Sequence, residues 1–150
     1  MPLGLAAEKY SVIGGIQWSF NLSINKHLDD GKWWLSIGHN RTPIGYWPKE
    51  IFTYLGEVAN RVEWGGEINN PEALIPSPEM GNGYQASYNI EYSASIYQAT
   101  VVYENRQSVD PGRDTHKVWN CEDLYTVKDG GYRGGVFGRI MYYGGIKPPY

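Results

Sequence analysis

At 150 residues the chain is long enough for one ordinary domain with a real core and too short for two comfortable ones. Thirteen Lys and Arg against sixteen Asp and Glu, scattered along the chain, leave a formal charge of -3 and exclude the electrostatic footprint of a nucleic-acid or anionic-membrane binder. Thirteen Tyr, six Trp and nineteen Gly beside three Phe describe pleated sheets closed by glycine turns, an all-β composition.

The first ten residues have no basic segment and too short an apolar run for a signal peptide, and no later stretch approaches transmembrane length, so the chain as written carries no export address. Ile16, Trp18, Phe20, Leu22 and Ile24 then alternate with Gln17, Ser19, Asn21, Ser23 and Asn25, the strongest period-two signal in the chain. This predicts a strand with one buried face. Asp30-Gly31 supplies turn chemistry, and residues 32–37 read as the return strand of a hairpin with Trp33, Leu35 and Ile37 on one side. Asn21-Leu22-Ser23 and Asn40-Arg41-Thr42 are glycosylation sequons, relevant only in a secreted protein.

Residues 43–47 read as extended, and Pro48 opens a short helix over residues 48–59. Proline suits the first helical position, Glu50 suits the dipole, and Ile51, Phe52, Leu55, Val58 and Ala59 mark a packed face. Residues 61–69 read as a strand, 70–78 as a proline-rich loop, and Met80-Gly81-Asn82-Gly83 as a turn. Strands follow over 84–90, 93–103, 119–127 and 138–143, with 107–117 as an exposed connection and the glycines of 130–135 as turn chemistry. The fold class is therefore all-β, an antiparallel β-sandwich with one short helix.

His27, His39 and His116 stand apart with no paired ligand spacing, so no metal site is expected. The lone Cys121 has no neighbouring base and reads as a buried small hydrophobe or as one half of a disulfide. Carboxylate chemistry remains, and it centres on Glu63-Trp64-Gly65-Gly66-Glu67-Ile68. In an extended segment, alternation sets Glu63, Gly65 and Glu67 on one face and Trp64, Gly66 and Ile68 on the other. Gly65 leaves room between the carboxylates for another backbone or a substrate peptide. Two carboxyl groups held close can divide acid and base roles, the chemistry of peptide or glycoside cleavage. Carboxylates solvated on an edge strand are the other reading of the same residues.

Gly31-Lys32-Trp33-Trp34-Leu35, Ile44-Gly45-Tyr46-Trp47-Pro48, Glu63-Trp64-Gly65-Gly66-Glu67, Met80-Gly81-Asn82-Gly83 and Tyr142-Tyr143-Gly144-Gly145, in this order, resemble the neprosin family of plant proteins. The resemblance runs from about Leu3 to Gly145. It implies a β-sandwich glutamic endopeptidase, secreted, acting in acid on proline-containing peptides and cleaving after proline, with no metal and no cofactor. It implies that Glu67 is catalytic, as the second of a glutamate pair. The substrate-binding residues expected around it are Trp47, Glu63, Trp64, Gly65, Gly66 and Tyr84. The family's first glutamate lies upstream of the Trp-Trp-Leu motif and has no counterpart here, and the surroundings of Glu8 do not resemble it. Cys121 resembles the family's late cysteine, without the partner expected after the last motif. The chain thus reads as a single neprosin-like catalytic domain lacking its N-terminal strands, weak or inactive by itself and prone to self-association through an exposed sheet edge. The alternative is a non-catalytic module that binds peptide or carbohydrate on Tyr46, Trp47, Tyr84 and Tyr88.

Overall fold

The computed structural model describes residues 6–72, 75–103, 105–112, 115–117, 121 and 123–146. It is nearly all β, with eight strands in antiparallel sheets. By contacts the chain divides into two compact units, Met1–Val12 with Ile16–Val62, and Ile13–Gly15 with Glu63–Tyr150.

The first unit is a three-stranded meander of β1 (Leu22–Lys26), β2 (Trp33–Ile37) and β3 (Thr42–Trp47) in the order β1-β2-β3. The β1–β2 turn forms where Asp30-Gly31 predicts it, because Gly31 takes a positive φ of 68° and Asp30 Oδ1 accepts the Lys32 amide at 3.1 Å. The Lys32 ammonium closes on the same carboxylate at 2.9 Å, holding Asp30 below its usual pKa and lifting its own. Register sets Leu22 beside Ile37, Ile24 beside Leu35, and Lys26, Trp33 and Trp47 in one row. The opposite face carries Asn25, Trp34 and Tyr46, with the Trp34 and Tyr46 rings 4.9 Å apart.

Two expectations for this unit are corrected. The apolar alternation does not yield a buried face: the ladder begins only at Leu22, and Ile16, Trp18, Phe20, Leu22 and Ile24 are 49–70% exposed. The helix expected over 48–59 is a single 3-10 turn, Lys49–Ile51, bounded by extended Pro48 and Phe52. Past it the segment is tied to the hairpin through its own carbonyls instead of turning on as a helix. Trp33 Nε1 donates to Leu55 O at 2.7 Å, while Lys26 Nζ donates to Gly56 O at 2.6 Å and also to Glu57 O. A helix this short, with Gly56 inside it, is too weak to compete for those acceptors.

In the second unit β4 (Ala94–Ile96), β7 (Tyr125–Tyr132) and β8 (Arg139–Gly145) form a sheet in the order β4-β8-β7, and β5 (Val101–Val102) pairs with β6 (Ser108–Val109). Central β8 is the most buried strand. Ile140, 1% exposed, and Tyr142 pack with Ala86, and Ile90, Tyr97 and Phe137 close around them. Arg139 is buried on two carboxylates, its Nε at 3.2 Å from Asp110 and its Nη1 at 3.5 Å from Asp129.

Several expected strands change here. Residues 61–69 and 84–90 form no ladder; the second runs beside β7 on side-chain bonds instead, Gln85 Nε2 to Leu124 O at 2.9 Å and Ala86 N to Thr126 Oγ1 at 2.7 Å. The strand expected over 93–103 breaks into β4 and β5 at Gln98, which has a φ of 54°. Part of the supposed 107–117 connection is β6. Gly130 and Gly131 belong to β7 rather than to a turn: Asp129 pairs with Met141 and Gly131 with Ile140, so Gly130 is the extra residue of a bulge. Residues 118–120, at the start of the strand expected from Trp119, lie outside the described residues. Cys121 is exposed, not buried, with its backbone at φ 58° in a turn whose carbonyl accepts the Leu124 and Tyr125 amides.

Candidate active site

The segment carrying both glutamates forms no strand and bends at Gly65. Glu63 and Glu67 are exposed, and Trp64 and Ile68 are half-buried. Gly65 has a φ of 156° with open space where a side chain would stand, so the gap beside the carboxylates exists and only glycine adopts that backbone easily. Gly66 is glycine for the opposite reason. A Cβ there would lie 2.8 Å from Met80 Cγ and 2.9 Å from the ring of Tyr143, so the chain presses flat onto those two side chains.

Both supports are fixed by β8. Met80 N donates to Gly145 O at 3.2 Å, Gly83 N returns to Met80 O at 3.0 Å, and Asn82 Oδ1 accepts the Tyr84 amide at 3.1 Å. Gly81, at φ 65°, packs against Ala94 and the Tyr143 carbonyl. A Cβ on Gly144 would strike the Tyr84 carbonyl, so half-buried Tyr84 enters this arrangement through its backbone. Three motifs distant in sequence, residues 63–67, 80–83 and 142–145, thus meet around β8.

Trp47, the remaining expected binding residue, lies in the other unit. It is 36% exposed and shares a face with Trp33, whereas its neighbour Tyr46 turns to the opposite face against Trp34. These consecutive residues do not make one flat binding surface. A hollow of about 310 Å³ in the same unit is lined by Lys26, Leu28, Asp29, Asp30, Gly31, Lys49, Gly56 and Glu57, none of them an expected site residue.

Sequence reasoning did not single out Tyr143. The signal was present in the Tyr142-Tyr143-Gly144-Gly145 motif, but its contact with Gly66 spans more than seventy positions of sequence. Burial lifts the Tyr143 hydroxyl above the ordinary tyrosine pKa. In the unfolded chain that hydroxyl titrates at about 10, so its contribution is whole below that pH and is lost as pH climbs through the raised folded value. Tyr143→Phe is expected to reduce this alkaline loss of stability, read from urea midpoints on either side of pH 10.

The central strand of this antiparallel β protein and its glycine pair thus carry a Gly-Gly-Glu segment whose carboxylate stands in solvent. The chain is a member of the Neprosin family, whose sequence model matches residues 1–146. Membership makes this a peptidase-family domain.

Proposed function

We propose that this is a glutamic peptidase domain of the post-proline endopeptidase class in which Glu67 is the catalytic carboxylate, acting as general base toward water. The observation that carries this reading is the placement of Glu67: exposed, next to Gly66 pinned on Met80 and Tyr143, with open space at Gly65. An extended proline-containing peptide needs such a gap, because its backbone must approach a carboxylate without meeting a side chain. Glu63, Trp64, Gly65, Gly66 and Tyr84 are the groups proposed to bind it there. The reaction also needs a proton delivered to the leaving amine, and no second catalytic glutamate has been identified in these 150 residues. A positioned acid or base is typically worth about 10²–10⁴-fold, so slow hydrolysis at most is expected from this chain alone.

The test is cleavage of a proline-containing peptide at acid pH by the 150-residue chain, with products read by mass spectrometry. Slow cutting after proline, abolished by Glu67→Gln, supports the assignment. Cutting that survives Glu67→Gln removes it. Binding of peptide or oligosaccharide that is unchanged by Glu67→Gln, without products, would favour the non-catalytic module.

A further inference from the structure

The sequons at Asn21 and Asn40 are far apart in sequence, and the fold brings them to one end of the β1-β2-β3 meander. The register that pairs Leu22 with Ile37 continues one step further, where the Gly38 amide donates to Asn21 O at 2.8 Å, and Asn40 follows Gly38 in the turn into β3. Both asparagines are exposed, and neither side chain is hydrogen-bonded among the described residues. Their surroundings differ. Asn40 is at a hairpin turn, with Pro43 directly after its sequon. Asn21 opens an edge strand, since among the described residues β1 pairs with β2 alone. From Tyr10 to Asn25 there is no charged residue, and Phe20, Leu22 and Ile24 are more than half exposed. The one charge on β1, Lys26, lies at its far end, bonded to the Gly56 and Glu57 carbonyls. An open edge ordinarily carries a charge, a proline or a bulge that keeps other strands away. The start of this edge has none of them and has a sequon instead.

We infer that Asn21 is an N-glycan acceptor and that its glycan covers the open edge at the start of β1. Asn21 engages β2 through its carbonyl, so its side chain takes no part in holding the strand. Alternation sends that side chain to the face of Ser23 and Asn25, away from Phe20 and Leu22. An N-linked oligosaccharide is bulky and solubilising. Rooted on the edge strand itself, it obstructs an incoming strand from whichever face it projects. Ser23 supplies the hydroxyl that the sequon requires; it is half-buried opposite Ser36 in the folded ladder, so transfer precedes closure of the β1–β2 hairpin. The donor is a lipid-diphosphate-linked oligosaccharide of the secretory lumen. Asn21 Nδ2 attacks C1 of its first sugar, the C1–O bond to the diphosphate breaks, the lipid diphosphate leaves with the electron pair, and the amide gives up one proton.

The test is expression of the 150-residue chain behind a cleavable secretion signal in a eukaryotic host, with Asn40→Gln so that one sequon remains. Cell-retained and secreted protein are both analysed, so retention does not hide the result. Intact mass is expected to show one glycan, and an N-glycosidase acting in heavy-oxygen water should remove it and leave the heavy oxygen at residue 21. Asn21→Gln and Ser23→Ala should each lose the glycan, while Ser23→Thr, which keeps the sequon, should retain it. Asn21 bare in both fractions overturns the inference. A glycan found only on aggregated, unfolded chain also overturns it, because the folded edge would then not admit the sugar. Cover of the edge is read on folded, secreted protein: Asn21→Gln is expected to precipitate at a lower concentration than its glycosylated parent. Equal solubility overturns the edge role, and Ser23→Ala gives the same comparison should Asn21→Gln fail to fold.

Discussion

Gly145→Ala is expected to cost about 3 kcal/mol of stability and to lower the melting temperature by about 10 °C, the largest effect of any glycine substitution in the chain. Gly145 is buried opposite Tyr125 in the β7–β8 ladder, with φ 148°, a region that side-chain-bearing residues avoid. The added methyl would strike the Leu124 carbonyl and come within 2.9 Å of Tyr125 Cα. Both obstacles are backbone, so no rotamer change relieves them. Moving β8 away would also break the Met80 to Gly145 hydrogen bond and release the support beneath Gly66. Gly134→Ala is the control. It too has a positive φ, at 86°, but open space around it, so only the conformational term of about 1–2 kcal/mol applies. Thermal melts followed by circular dichroism separate the two, and equal losses would mean that the Leu124 contact does not govern Gly145.

What was legible in the sequence was what local chemistry decides. Asp30-Gly31 fixes the β1–β2 turn within four residues of chain, so the hairpin and the return strand read correctly. Around Glu63 and Glu67 the sequence pattern matches the exposure, with both carboxylates exposed and Trp64 and Ile68 half-buried, although the chain bends at Gly65. Open space at Gly65 follows from its lack of a side chain. Partners remote in sequence were not legible. The segment after Pro48 has helical start signals and spacing but is short and contains Gly56, and in the structure its carbonyls at Leu55, Gly56 and Glu57 bond to Trp33 and Lys26, more than twenty residues upstream. The alternation from Ile16 to Ile24 specifies an apolar side without specifying what covers it, and in the structure that side is largely open. At Gly66 the sequence shows that a side chain is missing; only the positions of Met80 and Tyr143 show why.

The second large effect is expected at Ile140, where truncation to alanine should cost about 3–4 kcal/mol. Among the described residues Ile140 is the one large side chain that is fully buried, and it sits on the central strand between β4 and β7. Few apolar side chains in this unit are closed off from water. Ala86, Tyr142 and the half-buried Ile90, Tyr97 and Phe137 make up its cluster, so a void at Ile140 has few neighbours able to collapse into it. The bulge gives no relief either: Gly130 already lies so near Ile140 and Tyr142 that a Cβ there would stand 2.8 Å from each. Urea unfolding followed by tryptophan fluorescence should show the midpoint falling with an unchanged slope, the mark of lost packing rather than an altered unfolded state. Ile140→Val, which removes one methyl group, should cost about 1 kcal/mol. Comparable losses from the two variants would point to strain at a β-branched site. A loss below about 1 kcal/mol for alanine would show that this cluster is not what holds β8, and with it Tyr143 and the glycine pair, beneath Gly66.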